Sequence, residues 1–195
     1  MIALAAAASS IAALLLHAAG WIRMPYTITF VTLPGTVLLV SMLVWTRRSD
    51  RTLLFNRLAV GLVAGILGTL AYDVARFAVQ SLIPLGFDAF RSLPAYGSIM
   101  TGRPVDSDTA LIAGWIYHVS NGLTFGVIYS ILAGPARWWW GLAWGAALEA
   151  SMIVVFPTIL RPSSLKGFLL INMIGHTAYG AGVGLWCQRK AMRAA

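Results

Sequence analysis

Four ionisable residues that are costly in lipid lie at nearly one depth of this chain's apolar segments, namely Asp73, His118, Glu149 and His176. When those segments are drawn as membrane helices, each of the four lies about eight or nine residues from the same side of the bilayer, roughly 13 Å at the helical rise. Ionisable side chains inside a membrane are rare and usually face a bundle interior or a water-filled cavity. This layer of two carboxylates and two imidazoles therefore predicts a functional site.

The donor set of this layer suits a metal. Two histidines and two carboxylates from four helices match the ligand types of carboxylate-bridged metal bundles, which hold iron, manganese or zinc. The two histidines could instead serve as axial ligands of a b-type haem. Polar residues on the same helix faces are expected to orient the ligands: Arg76, Asn121 and Asn172. The first hypothesis is therefore a transition metal or haem site, with the reaction and the question of enzyme activity left open.

Two other interpretations of the layer stay open. In the first, Asp73 pairs with Arg76 at i,i+3 and Glu149 pairs with one histidine, so that the network only fixes helix register. That role suits a non-catalytic subunit or an assembly factor of a membrane complex. In the second, the layer is a proton or ion relay of a small transporter, because chains of Asp, Glu and His serve this purpose in pumps and transporters.

The composition is that of an integral membrane protein. Of the 195 residues 59% are hydrophobic and 10% are charged, and the mean hydropathy is +0.80, values outside the range of soluble domains. The net charge of +8 comes from short basic clusters between apolar runs, which indicates loops facing anionic lipid rather than nucleic acid. The single cysteine excludes an internal disulfide and multi-Cys zinc sites. The motifs of soluble nucleotide-binding and hydrolytic enzymes are also missing.

The apolar runs predict an all-α, polytopic protein with six transmembrane helices. A helix needs about 20 residues to cross the hydrocarbon core, and the runs occur at 2–22, 24–46, 57–82, 109–133, 137–157 and 167–187. Residues 1–46 are expected to form two N-terminal helices, and 57–187 a four-helix core. The first run lacks the basic start of a secretory signal and is expected to stay as a helix.

Prolines, a glycine and capping residues refine the predicted helix boundaries. Pro34 and Gly35 predict a kink in the second helix, whereas Pro135 and Pro157 lie where helices are expected to stop. Asp108 or Thr109 is expected to cap the fourth helix.

The one long connection, residues 83–108, is expected to be an outer loop above the polar layer. Long connections often form lids or binding loops. Phe87, Phe90 and Leu93 recur every three residues in it, which predicts a short helix lying on the outer surface.

An internal repeat is predicted within the core. The pattern His-x3-Gly-x3-Gly runs from His118 to Gly126 and again from His176 to Gly184. The preceding helices carry glycines eight or four residues before their acidic residue: Gly65, Gly141 and Gly145. Small residues at this spacing allow close helix packing in lipid. The last four helices are therefore interpreted as two parallel copies of one unit, an acidic helix followed by a histidine helix.

The basic residues predict the orientation. The side that holds both termini carries eight Lys and Arg residues, against five on the other side. The positive-inside rule then places both termini in the cytoplasm of a bacterial inner membrane, with the polar layer nearer the outer face. The lipid bilayer is the expected surrounding, and the choice between a homo-oligomer and a membrane-complex partner stays open.

Residues of the core also carry a resemblance. The stretch from Gly114 to His118, followed by Gly122, Phe125-Gly126 and Tyr129, forms a His-x3-Gly-x2-Phe-Gly-x2-Tyr helix, and it is followed by Trp140-Gly141, Glu149, Pro157, His176 and Gly180. Over residues 57–187 the chain resembles an uncharacterised family of small bacterial multi-pass membrane proteins. The resemblance implies a four-helix membrane core with two motif histidines and carries no activity with it.

Overall fold

The fold is all-helical in the part of the chain that the computed structural model describes. It describes residues 1–49, 51–84, 88–160 and 165–192, and the side chains of these except 154–160, 165, 191 and 192. The helices within these ranges are α1 Ile2–Ala18, α2 Met24–Arg48, α3 Thr52–Leu82, α4 Ser92–Thr101, α5 Asp108–Leu132, α6 Trp139–Leu160 and α7 Leu165–Met192.

Among the described residues, four helices are long and apolar enough to cross a membrane. They are α2, α3, α5 and the Lys166–Lys190 part of α7. Many large apolar side chains of these helices are exposed, as Phe30, Val37 and Val74 illustrate. Such faces are stable against lipid chains and costly against water. The chain is therefore a membrane protein whose apolar helix faces contact the bilayer. Six spans remain a prediction, since α1 has 17 residues and the side chains at the end of α6 are not described.

Helix α3 is the central element of the packing. It packs against both α5 and α7, while α6 packs on α7 and α4 packs on α5. Helix α1 contacts α2, α5 and α6. Gly35 of α2 lies against Ser9 and Ala6 of α1, with no room for a β-carbon. The N-terminal helices are thus packed into the core assembly.

Glycines make two of the helix crossings possible. A β-carbon on Gly65 of α3 would collide with the backbone of Gly122 and Leu123 on α5. In the same way, one on Gly141 of α6 would collide with the backbone of Gly180 on α7. Close backbone approach through small residues is the usual packing mode where lipid removes the hydrophobic drive between helices. Each crossing joins a helix that carries a carboxylate to one that carries a histidine.

Helix α4 differs from the surface helix that the sequence predicts. It begins at Ser92, and Ser92, Leu93, Tyr96 and Gly97 are buried. Gly97 lies against Ala110 of α5, with no space for a side chain. Small residues on α4 and α5 allow α4 to pack closely against the beginning of α5 instead of lying on the outer surface of the protein. Phe87 lies outside the described residues.

Three local expectations are corrected. Ser107 caps α5, since its hydroxyl accepts a hydrogen bond from the Ala110 N–H at 3.2 Å, which leaves Asp108 in the first turn. Helix α6 continues to Leu160 past Pro157, because one proline near a helix end removes only one backbone hydrogen bond. The irregularity of α2 is a π-helical turn at Ile28–Thr32, about one turn before the predicted kink.

Candidate functional site

Asp73 and His118 form the first of two acid–imidazole pairs. Nε2 of His118, on α5, lies 3.0 and 3.1 Å from the two carboxylate oxygens of Asp73, on α3. A carboxylate only accepts hydrogen bonds, so this nitrogen is assigned the proton and donates it. Nδ1 has no hydrogen-bond partner among the described residues. This pair is partly buried, with about one fifth of each side chain exposed.

Glu149 and His176 form the second pair. Nδ1 of His176, on α7, lies 2.6 Å from Oε2 of Glu149, on α6, and 3.0 Å from the backbone carbonyl of Asn172. Both partners accept, so Nδ1 carries the proton, and Nε2 is left without a partner in the described part of the chain. Both residues are buried. The two imidazoles therefore have the same arrangement: a carboxylate binds one nitrogen, and the other has no partner among the residues described.

The glycine crossings explain why these side chains meet. His118 lies one turn before Gly122, and His176 lies one turn before Gly180, so each imidazole stands on the face that contacts the neighbouring helix. The carbonyl of His176 itself abuts Gly145, one turn before Glu149. Because the backbones are this close, short carboxylate side chains reach the rings.

Tyr72 connects the two pairs. Its ring centroid lies 5.7 Å from that of His118 and 5.0 Å from that of His176. Its hydroxyl donates to Oδ1 of Asn172 at 3.2 Å, and Asn172 is the residue whose carbonyl holds His176. The Tyr72 ring thus occupies space beside both imidazoles, which favours a small ligand or water over a macrocycle at this point.

A cavity of about 80 Å³ is bordered by both histidines. This space has room for several water molecules. The polar side chains that line it are Thr69, Tyr72, Arg76, Ser92, Tyr96, Tyr117, His118, Asn121, His176 and Tyr179. Helix α4 borders the cavity through Ser92, Leu93 and Tyr96, and burial raises the pKa of the Tyr96 phenol well above its ordinary value, so the phenol stays neutral.

The three predicted orienting residues have different surroundings. Asn172 contacts Tyr72 and His176, as described above. Asn121 accepts a hydrogen bond from the Ser10 hydroxyl of α1 at 2.6 Å. Arg76 lies over the rings of Tyr72 and Phe90, at 4.8 and 4.9 Å from their centroids. The alternative pairing of Asp73 with Arg76 does not form, because the carboxylate binds His118 instead.

Sequence reasoning missed the tyrosines and helix α1. Tyr72 continues the Gly61, Gly65, Gly68 stripe at alternating spacings of four and three, a signal that marks it as facing the core. Tyr117 donates to the carbonyl of Ser10 at 3.1 Å, and no motif in α1 predicts that contact. A single buried serine in an apolar helix is too common to identify by itself.

The described residues contain no group of three or more His, Cys, Asp and Glu side chains arranged to hold a metal ion. The four predicted residues are brought together as two carboxylate–imidazole pairs.

A family model matches residues 55–195. It is the model of DUF6789, a family of unknown function.

The chain belongs to DUF6789. The expectation of an uncharacterised family is therefore confirmed. Both acid–imidazole pairs lie in the part that matches DUF6789, whereas α1 and α2 lie outside it. No curated protein and no solved structure matches the chain.

Proposed function

We propose that this protein moves protons within the membrane through its two acid–imidazole pairs, as the relay of a small transporter or of a membrane complex. One observation carries the proposal: His118 and His176 border the same cavity, each bound to a carboxylate through one nitrogen and without a partner at the other among the described residues. Ionisable residues that face a cavity inside a membrane typically serve proton or ion movement.

The chemistry of a relay follows from the two ring nitrogens. The unpaired nitrogen accepts a proton from cavity water, and the neighbouring carboxylate stabilises the imidazolium that forms. The proton leaves by the same nitrogen or passes to the carboxylate through the other. Such an exchange needs water beside the rings, and the cavity provides the volume for it.

The proposal includes the internal repeat, and the two glycine crossings support it. One carboxylate helix and one histidine helix cross through glycines at each pair, which two parallel copies of one unit would produce. In the proposed topology both termini are in the bacterial cytoplasm, and the two pairs lie nearer the outer face.

The proposal is tested by proton flux into liposomes. Protein is reconstituted with a trapped pH-sensitive dye, and a potassium diffusion potential drives proton entry. We expect His118→Gln and His176→Gln to reduce the flux by roughly a hundredfold, the scale seen when a positioned proton-transfer group is removed. His17→Gln is the matched control, since His17 ends α1 and does not line the cavity. Equal flux in wild type and in both cavity variants would contradict the relay.

A metal ion is the second candidate, favoured by the same unpaired nitrogens. Histidines that bind metals usually donate their other ring N–H to a carboxylate or a carbonyl, and both His118 and His176 do so. In this case Asp73 and Glu149 orient the ligands instead of binding the ion. Elemental analysis and visible spectra compare the wild type with a folded His118→Ala, His176→Ala double variant. Metal that is present in the wild type and lost in the variant supports this candidate.

A further inference from the structure

Arg76 is a buried cation without an anionic partner among the residues that the structure describes. Only 3% of its surface is exposed, and its Nε has no hydrogen-bond partner in the same part of the chain. A guanidinium keeps its charge at any physiological pH. A buried charge that lacks a partner is costly, and proteins normally pair it or use it at a binding site.

The acidic residues of the chain do not supply this partner. Of the six acidic residues, Asp73 and Glu149 bind the histidines. Asp106 and Asp108 are exposed. Asp88 is exposed and uses one carboxylate oxygen to accept from the Phe90 N–H. The sixth, Asp50, precedes the opposite end of α3 and lies outside the described residues. Within the described part of the chain, no carboxylate comes within ion-pair distance of Arg76.

Aromatic rings hold the guanidinium in place without satisfying its donors. Its central carbon lies over the rings of Tyr72 and Phe90. These contacts use the ring faces, whereas the N–H groups of a guanidinium point outward in its own plane. The fork of donors stays available for an anion.

The space that Arg76 borders is suited to a ligand. It shares the cavity with Ser92, which bears a hydroxyl, and with the apolar side chains of Leu14 and Leu93. Helix α4 contributes part of this lining, and its close contact with α5 through Gly97 holds it there. A hydroxyl near one cation, beside apolar walls, forms a place for an oxyanion attached to a less polar body.

We propose that Arg76 binds the phosphate or carboxylate oxyanion of a ligand that enters this cavity, either a free solute or the headgroup of an anionic lipid. A planar guanidinium matches the oxygens of both groups in a two-bond arrangement. The oxyanion site shares its cavity with the proposed proton relay but does not require the relay, because the anion binds Arg76 and not the histidine nitrogens.

The test measures how anions change the melting temperature of the purified protein. One arm adds inorganic phosphate or acetate, against chloride at equal ionic strength, to protein in a neutral detergent. The other compares nanodiscs of phosphatidylcholine with nanodiscs that also contain phosphatidylglycerol. The variants are Arg76→Gln, which removes the charge, and Arg76→Lys, which keeps the charge and loses the fork. Arg91→Gln is the matched control, an exposed residue of the same segment.

We expect an anion-dependent rise in the melting temperature of the wild type and of the Arg91→Gln variant. Apparent affinity should weaken by roughly ten- to a hundredfold in Arg76→Lys, the loss expected when a charge-assisted hydrogen bond is removed. A rise in the detergent arm identifies a free solute as the source, and a rise only with phosphatidylglycerol identifies a lipid headgroup. If neither arm shifts the wild type, or if Arg76→Lys responds like the wild type, the proposal is wrong. Arg76→Lys decides the result if Arg76→Gln does not fold.

Discussion

At the scale of single residues, the candidate site depends on hydrogen bonds that fix two rings. Asn172 is a good example, since its carbonyl oxygen accepts from His176 and its side-chain oxygen accepts from Tyr72. Losing the Tyr72 hydroxyl leaves the Asn172 side-chain oxygen, a buried acceptor, without a partner among the described residues, and such a loss costs more free energy than a surface hydrogen bond provides. The Tyr72 hydroxyl therefore contributes to the stability of the packing beside His176.

Replacing Tyr72 by phenylalanine tests this role. The ring stays, the hydrogen bond to Asn172 is lost, and we expect the free energy of unfolding to fall by about 1–2 kcal/mol. Tyr129→Phe is the matched control, because the Tyr129 hydroxyl is buried without a partner among the described residues, and removing it should be neutral or stabilising. Both changes are measured by unfolding in mixed micelles. A Tyr72→Phe protein as stable as wild type would show that the hydroxyl does not support the site.

At the scale of helices, the two crossings decide whether the pairs can form. A side chain at a glycine of a crossing forces the helices apart, and the carboxylate then no longer reaches the imidazole. Gly145 shows this most directly, because a β-carbon there would collide with the backbone carbonyl of His176. Packing of α6 on α7 and the geometry of the Glu149–His176 pair are thus one structural feature.

Substituting Gly145 by alanine is expected to destabilise the protein by about 1–3 kcal/mol, the usual cost of overpacking, and to reduce proton flux. Gly182→Ala is the control, since its β-carbon would approach the Gly68 Cα to 3.3 Å, a contact that a shift of a few tenths of an ångström relieves. Melting temperature and flux are measured on both variants. Equal losses in the two would contradict the proposed importance of the α6–α7 crossing.

At the scale of the whole molecule, α1 completes a site that otherwise belongs to the family core. The Ser10 hydroxyl binds Asn121, the Ser10 carbonyl accepts from Tyr117, and Leu14 lines the cavity. Residues outside the matched range thus border the same space as both histidines. Helix α1 therefore forms part of the wall of this cavity.

Ser10→Ala tests the contribution of α1. We expect a loss of about 1 kcal/mol in the free energy of unfolding, because Asn121 loses a buried hydrogen bond. Ser9→Ala is the control: the Ser9 hydroxyl donates only to Ala6 of its own helix, a bond that does not join helices. Thermal unfolding of both variants in the same detergent compares them. A greater loss in Ser9→Ala would argue against α1 as a wall of the site.

The orientation is tested by labelling. In a Cys187→Ala background, single cysteines replace Ser49, after α2, and Asp106, before α5. The predicted topology places Ser49 in the cytoplasm and Asp106 outside. An impermeant maleimide applied to intact spheroplasts should therefore label only Asp106→Cys, and lysis should expose Ser49→Cys. The reverse pattern would overturn the orientation inferred from the basic residues.

The sequence alone determines the membrane class, the approximate helix positions and the presence of polar residues in apolar helices. These properties are local: a membrane helix satisfies its own backbone groups, so its position follows from the run of apolar residues. Glycine spacing also marks the packing faces correctly, as Gly65 and Gly122 show.

Only the tertiary structure decided which groups meet. The choice of His118 over Arg76 as the partner of Asp73, the place of Tyr72 between the rings, and the insertion of α1 beside α5 all depend on which helices are neighbours and at what height. Helical periodicity identifies the face of a residue and not its partner across an interface. Contacts between residues as distant in sequence as Ser10 and Asn121 arise from the packing of whole helices.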